Sequence, residues 1–372
     1  MNFDYESLKL ISWGILVLCL VGFMLCDGLV QGICVLLPII AKTENQRQQL
    51  YARLAPVCLG QLSWLLTSIA WLMTAWPIAY AVFFSSLRLL LIPLWLSYIC
   101  RTLAILFRNS LANPVWQQWC DKAVQISAVI TLAEVGILVG NLLKGIPFHL
   151  DSDMRILFLG DIGGLLNPFA LLSACLTAAL LVFYAACFLQ SKNTGEPDHS
   201  NQTLTFKAGI SFILLFGIAG LWITHLEGYH ISSEILPNAA ANPLSKFVKR
   251  GEGLWLDNYE HLPGLWSIPT LVLLGVGISL YLSYINKTGW AFVAGSSSVI
   301  FAVITVTISM FPFLLPSNRS LNSSLTLWDA GASFNSLTLL LLVAAAGLPL
   351  QIILTSWAFG LGLIDNSVNH TD

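Results

Sequence analysis

Long apolar segments, separated by short polar ones, follow each other along almost the whole chain. A helix needs roughly 20 mostly apolar residues to cross the bilayer core, and segments such as 11–37 and 337–363 exceed that length. Hydropathy, proline and glycine positions and charge clusters predict about nine spans. Their approximate cores are 8–37, 57–76, 78–102, 122–143, 164–190, 206–226, 265–284, 290–313 and 336–362. We therefore expect an all-α polytopic membrane protein, with residues 1–372 in a single transmembrane domain.

The composition agrees with a lipid environment. Hydrophobic residues make up 56% of the 372 residues and charged residues only 10%, whereas a soluble domain carries about 25% charged residues. Too few charges are present to cover a surface that faces water. The net charge of −2 also argues against nucleic acid as a partner, because phosphate binding needs a basic surface.

Lysine and arginine positions predict the orientation, since they are enriched in cytoplasmic connections. One set of connections carries Lys42, Arg47, Arg53, Arg101, Arg108, Lys122, Lys192, Lys207 and Lys287, and the other carries Lys9, Lys144, Arg155, Lys246, Lys249, Arg250 and Arg319. The first side is the more basic, which predicts an N-terminus outside and a C-terminus in the cytoplasm. The long polar connection 227–263 is then extracytoplasmic, and loops of that length are commonly functional.

Among the ionisable residues of the predicted spans, where charge is costly and often functional, four are candidates for a role. Asp27 in the first span is either a proton-relay or interhelical site, or a carboxyl group that only bonds a neighbouring helix. Arg88 is expected in the middle of the third span and needs a carboxylate, a lipid phosphate or a path to the surface. Glu134 in the fourth span is a partner for it by chemistry. Arg101 closes the third span, a position typical of an interfacial anchor.

The histidines lie outside the interiors of the predicted spans, at His149, His199, His225, His230, His261 and His370. Haem in a helical membrane bundle needs histidine or methionine ligands from span interiors, and the methionines there are more often core residues. We therefore expect this chain to bind no haem and no metal directly. Phosphate-binding and hydrolytic motifs are also absent from the sequence.

Several short motifs are more specific in sequence than a membrane span requires. Asparagine–proline and aromatic–proline pairs recur among them. They are Asp4-Tyr5-Glu6, Phe23 to Asp27-Gly28, Ala55-Pro56 with Trp64-Leu65, Ala75-Trp76-Pro77, Gly140–Phe148, Leu166–Phe169, Ala241–Leu244, Trp290–Phe292 and Met310–Ala330. In this order, with nine spans, the chain resembles subunit 2 of the cytochrome bd-type quinol oxidases. The resemblance covers nearly the whole length.

The resemblance implies a division of labour between two subunits. In the family, subunit 1 carries the haems b and d, the quinol-oxidising loop and the oxygen site. Subunit 2 resembles it in fold, packs against it, lacks haem, and can hold a structural quinone and lipids. A small single-helix subunit can complete the complex, which lies in the bacterial cell (inner) membrane. On this basis Asp27, Arg101 and Glu134 are candidates for a proton route or an interface, and Trp64 and Arg88 for contact with quinone, lipid or the partner.

Three positions depart from the family pattern. Aliphatic residues stand at Val30, Leu59 and Leu106, where the family often has carboxylates. Because an aliphatic side chain carries no proton, we expect the proton route of this subunit to be weak or absent. Two other readings remain: a secondary transporter, which would show inverted repeats that we do not find here, and a non-catalytic paralogue that assembles without supporting electron transfer.

Overall fold

The computed structural model describes residues 4–192 and 199–363. In this part, the α-helices are α1 Tyr5–Ile40, α2 Glu44–Ala75, α3 Pro77–Ser86, α4 Arg88–Phe107, α5 Pro114–Lys144, α6 Ile162–Leu165, α7 Pro168–Lys192, α8 His199–Ile223, α9 Asp257–His261, α10 Ser267–Tyr284, α11 Thr288–Met310 and α12 Phe334–Leu363. Short strands form three antiparallel pairs: β1 Phe148–Leu150 with β2 Ile156–Phe158, β3 Glu227–Ile231 with β4 Val248–Glu252, and β5 Phe313–Leu315 with β6 Leu325–Thr326. The hydropathy pattern did not predict these strands.

Eight helices of the described chain are long and apolar enough to cross a membrane: α1, α4, α5, α7, α8, α10, α11 and α12. The predicted span 57–76 lies almost wholly within the 32-residue α2, which is not among these eight. The expected all-α, multi-pass architecture is thus confirmed. The long α1 lies centrally, since it packs against α2, α5, α7, α11 and α12.

The predicted third span differs from the structure. The chain bends at Leu87, whose backbone angles are φ −99° and ψ 12°, and the segment is two helices, α3 and α4. Arg88 is the first residue of α4 and is exposed, so placing it in the middle of a span was wrong. A hydropathy average does not reveal such a bend, because the residues on both sides of it are apolar. The helix α4 alone is long enough to span the membrane.

Glycines allow the closest helix approaches in the core. A Cβ atom at Gly136 of α5 would overlap the backbone of Ala174 in α7, and one at Gly32 of α1 would overlap the backbone of Leu181 in α7. Small residues at membrane helix interfaces let backbones come together without steric cost. The central contacts of α7 with α1 and α5 therefore depend on glycine.

The connections at one end of the helices interlock into a layer. The amide of Ile146 donates to the carbonyl of Pro316 at 2.8 Å, joining the segments before β1 and after β5. The amide of Glu6 donates to Asn238 Oδ1 at 2.9 Å. The start of α1 and the connection 227–263 therefore lie at the same end of the molecule, which we call the outer end after its predicted orientation.

We predict that Gly136→Ala destabilises the purified protein by roughly 1–3 kcal/mol, because overpacking forces α5 and α7 apart. Gly217→Ala in α8 is the matched control, since a Cβ atom there meets nothing within 4 Å. Thermal unfolding of both variants checks the expectation. Equal melting temperatures for the two variants would show that the α5–α7 contact tolerates a methyl group.

Candidate functional site

A buried carboxylate, Asp27 of α1, is bonded by side chains of α4. Tyr98 donates its hydroxyl to Asp27 Oδ2 at 2.6 Å, and Arg101 Nη2 donates to Asp27 Oδ1 at 3.3 Å. Gln31 Nε2, one helical turn further along α1, donates to the same Oδ1 at 3.3 Å. The Arg101 guanidinium also lies over the Tyr98 ring, 4.8 Å from its centroid. We call these four residues the Asp27 cluster.

Helical spacing explains how the cluster forms. Asp27 and Gln31 are four residues apart on α1, and Tyr98 and Arg101 are three apart on α4, so each pair shares one helix face. A buried charge is tolerated when it is paired and hydrogen-bonded. Arg101 is only 1% exposed, and the interfacial anchor expected at this position is therefore wrong. The sequence could not show that Asp27 and Arg101 meet.

Two polar atoms of the Asp27 cluster remain without a partner among the described residues. They are Arg101 Nη1, a donor, and Gln31 Oε1, an acceptor. Both are buried, and both belong to groups that donate to the same oxygen of Asp27. Buried polar atoms are nearly always bonded, to protein or to ordered water. An ordered water molecule at the cluster would therefore satisfy a donor and an acceptor that the protein leaves unbonded.

The structure does not bring Glu134 and Arg88 together. Glu134 of α5 is buried, with 8% of its surface exposed, and its Oε2 has no partner in the part of the chain that the structure describes. Arg88 is exposed at the start of α4 and forms no ion pair with any described residue. The pairing suggested by their chemistry is wrong, because the bend at Leu87 takes Arg88 to the end of a span.

Trp64 is enclosed within the helix packing. Its ring lies against Gly22 of α1, and its Nε1 donates to Thr355 Oγ1 of α12 at 3.0 Å. With 4% of its surface exposed, Trp64 joins α1, α2 and α12 and does not reach the outer surface of the chain. A contact with lipid or with a partner subunit is therefore not available to this ring.

The positions that lack family carboxylates lie in different surroundings. Val30 is fully buried in the main core, whereas Leu106 near the end of α4 is 63% exposed. The side chain of Leu59 lies outside the described residues. A carboxylate at position 106 would thus lie on the surface of this chain and would not join the Asp27 cluster.

A second polar cluster, missed by sequence reasoning, lies where α2, α4 and α5 meet at the inner end. Asp121 accepts from Arg47 at 2.9 Å, from Tyr51 at 2.8 Å and from Arg108 at 2.7 Å. Arg108, 1% exposed, also pairs with Glu44 at 2.7 Å. Burial lowers the pKa of Arg108, but its bonds to Asp121 and Glu44 outweigh burial and raise it. We call this the inner cluster. The basic residues had been counted for orientation, but nothing in the spacing linked them to Asp121.

A third cluster ties the outer end together. Lys9 Nζ donates to the carbonyls of Pro237 at 2.9 Å and Trp328 at 2.7 Å, which joins α1 to the connection 227–263. Lys246 Nζ pairs with Asp329 Oδ2 at 2.7 Å. Burial lowers the pKa of Lys246 and raises that of Asp329, while their mutual attraction opposes both changes. The segment around 241–246, which contains Pro243, and the segment 310–330, which contains Pro312 and Pro316, stand out in the sequence, and here they are in contact.

The family is decided by the comparison with known proteins. The family model described as cytochrome bd terminal oxidase subunit II matches residues 8–361. The chain belongs to this family. It is 31% identical over 357 residues to cytochrome bd-I ubiquinol oxidase subunit 2 of Escherichia coli strain K12, covering 96% of this chain and 94% of that protein. It is 33% identical over 356 residues to a probable cytochrome oxidase subunit 2 of Haemophilus influenzae, again covering 96% and 94%.

The fold agrees with a solved bd oxidase. The structure of bd oxidase from Geobacillus thermodenitrificans contains a chain that superimposes with a TM-score of 0.73, at 18% identity, over 95% of this chain and 98% of that chain. At this identity the likeness concerns the fold alone. It shows that the helices are arranged as in a bd oxidase chain over nearly their whole length.

The side chains of the described spans do not suit a haem bound to this chain. No histidine lies in any of the eight candidate spans. Within the described residues, no group of three or more histidine, cysteine or acidic side chains is placed to hold a metal ion.

We predict that Asp121→Ala destabilises the complex by roughly 1–3 kcal/mol, because it removes the acceptor of Arg47, Tyr51 and Arg108 and leaves buried Arg108 with Glu44 as its remaining carboxylate among the described residues. The matched control is Asp153→Ala, whose partner Arg155 lies 3.3 Å away on the exposed surface; exposed pairs contribute only about 0–1 kcal/mol. Thermal unfolding of the purified complex measures both. A loss no larger for Asp121→Ala than for the control would mean that the inner cluster is not a stabilising contact.

Proposed function

We propose that this chain is the haem-free accessory subunit of a cytochrome bd-type quinol oxidase. The observation that carries the proposal is the family match over residues 8–361, together with relatives named as subunit 2 of such oxidases. In the complex, quinol is oxidised and oxygen is reduced to water on a haem-bearing subunit 1. The present chain completes the helix bundle and shields the haem region from lipid.

The polar clusters suit a scaffold role. The inner cluster fixes the ends of α2, α4 and α5, the Asp27 cluster joins α1 to α4 at membrane depth, and Lys9 fixes the connection 227–263 over the outer end. Each joins segments distant in sequence. Together they hold the apolar faces of the helices in fixed positions, as a rigid partner surface requires.

We further propose that quinone or lipid contacts this chain at its exposed surface, with or without a small single-helix subunit. Between the two candidates from the sequence, the geometry supports Arg88. Arg88 is exposed at the first residue of a span, where a cation can reach a lipid phosphate, whereas Trp64 is enclosed.

We place the chain in a bacterial inner membrane with its N-terminus outside and its C-terminus in the cytoplasm. The count of lysine and arginine supports this orientation, and the contact between Glu6 and Asn238 puts the N-terminus and the long connection on the same side. Reporter fusions test it: a reporter after residue 372 is expected to be cytoplasmic, and one inserted near residue 234 extracytoplasmic. The reverse pattern would invert the assignment.

Protons for oxygen reduction enter, on this proposal, through subunit 1 or along a water path that does not use the family carboxylates. Carboxylates are missing at Val30, Leu59 and Leu106, and Asp27 is paired with Arg101. A carboxylate that neutralises a buried guanidinium is a poor proton carrier, because protonating it would leave the guanidinium unpaired.

We predict that affinity purification of this chain brings down a haem-bearing partner. A reduced-minus-oxidised spectrum of the complex is expected to show haem b and haem d bands, and the complex to consume oxygen with quinol. The chain isolated from its partner is expected to show neither band. Porphyrin bound to the isolated chain, or transport of a solute by it alone, would overturn the assignment, and assembly without oxidase activity would favour the non-catalytic paralogue.

We predict that Asp27→Asn combined with Arg101→Gln keeps oxidase turnover and proton uptake, per haem, within about twofold of the native complex, since removing both charges leaves no buried ion unpaired. The matched variant, Leu59→Asp with Leu106→Asp, restores two of the family carboxylates. It is expected to leave turnover unchanged, because protons still enter by the route that does not use those carboxylates. Loss of proton uptake in the Asp27–Arg101 variant would show that the family route still operates.

A further inference from the structure

A second polar seam lies between α4 and α5, away from the ion pairs. Ser97 Oγ and Thr131 Oγ1 are 2.8 Å apart, and both residues are buried. Ser97 precedes Arg101 by four residues and Thr131 precedes Glu134 by three, so helical spacing puts each pair on one helix face. The two hydroxyl groups therefore stand between Arg101 and Glu134 along the seam.

The packing of α5 shows which way Glu134 faces. Gly136, two residues later, lies against Ala174 of α7. Two residues correspond to roughly 200° of rotation around a helix, so Glu134 is directed away from α7. It lies instead on the side of α5 that carries Thr131, which contacts α4.

Both ends of the seam carry an unpaired polar atom. Glu134 Oε2 and Arg101 Nη1 are buried and have no partner among the described residues. At membrane depth an unsatisfied polar group costs several kcal/mol. An internal water needs two to four polar partners. The seam supplies a carboxylate, a guanidinium and the remaining lone pairs of two hydroxyl groups, which bond each other and the carbonyls of Leu94 and Ser127. The seam thus has both the need and the ligands for ordered water.

We propose that Glu134, Ser97 and Thr131 form a hydrated proton-binding site inside the membrane, which exchanges protons with the inner side of the chain. The proposal rests on the proposed oxidase function and names the water path that replaces the missing family carboxylates. Glu134 as a carboxylic acid releases its proton to water in the seam and becomes a carboxylate, which then takes a proton from water on the inner side. No electron moves and no carbon bond changes.

The other charged groups on the helices that pack against α5 are paired or lie near helix ends. They are Arg88 and Arg101 on α4, Glu6, Lys9 and Asp27 on α1 and Lys192 at the end of α7, and α5 itself carries Asp121, Lys122 and Lys144. Asp27 and Arg101 neutralise each other, and Asp121 is held by the inner cluster. Glu134 is therefore the group of the seam that can take and lose a proton without breaking an ion pair.

Infrared difference spectroscopy of the purified complex, recorded while pH is varied, tests the site directly. A carboxylic-acid carbonyl band is expected that titrates with pH, shifts in D₂O, disappears in Glu134→Gln and moves in Thr131→Val. Glu252→Gln, at an exposed position of β4, is the control and should leave the band unchanged. If the native complex shows no titrating band that depends on Glu134, the proposal is overturned, whatever the oxidase activity.

Turnover and proton uptake per haem test the role of the site in the reaction. Glu134→Gln is expected to lower both by roughly 10²-fold, the lower end of what a proton-transferring group contributes, and Glu134→Asp to restore most of the rate. Unchanged proton uptake in an assembled Glu134→Gln complex would overturn the role. A native complex without haem or quinol oxidation would instead contradict the proposed function. The infrared experiment would still test the proton-binding site, because it does not depend on oxidase activity.

Discussion

Every polar group in a bilayer core must find its partner inside the protein, since no bulk water is present to replace a missing bond. This constraint organises the whole molecule. Arg101 can lie 1% exposed at membrane depth only because Asp27 of another helix meets it. The apolar faces of the helices can then contact lipid and neighbouring helices. The few charged side chains, paired between helices, determine how the helices pack.

The three polar clusters act at three depths. The inner cluster joins α2, α4 and α5 through Asp121, the Asp27 cluster joins α1 to α4, and Lys9 joins α1 to the outer connections. Between them, glycines bring α7 close to α1 and α5. In a subunit of an oxidase complex, such rigidity matters because it keeps the surface that meets the other subunits in one shape.

The spans could be predicted because hydropathy is a local property that each segment carries alone. The bend at Leu87 could not, since both of its flanks are apolar, and Arg88 was misplaced as a result. The pairing of Asp27 with Arg101 and of Asp121 with Arg108 was also beyond sequence reasoning, because it depends on which helices become neighbours. The order of short motifs was enough to indicate the family, although each motif alone is common. The layer of connections at the outer end was predictable in part. Its proline-bearing segments stand out in the sequence, but only the fold shows that Lys246 pairs with Asp329.

The contrast between Asp27 and Glu134 follows from the same constraint. Asp27 has a cation and two further donors, so protonating it would leave buried Arg101 without its counter-ion. Glu134 has neither a cation nor a bonded Oε2 among the described residues, so both of its protonation states depend on the water that can reach it. A group in the first situation stabilises a fold, and a group in the second responds to protons. Two buried carboxylates on neighbouring helices therefore differ in role through their partners alone.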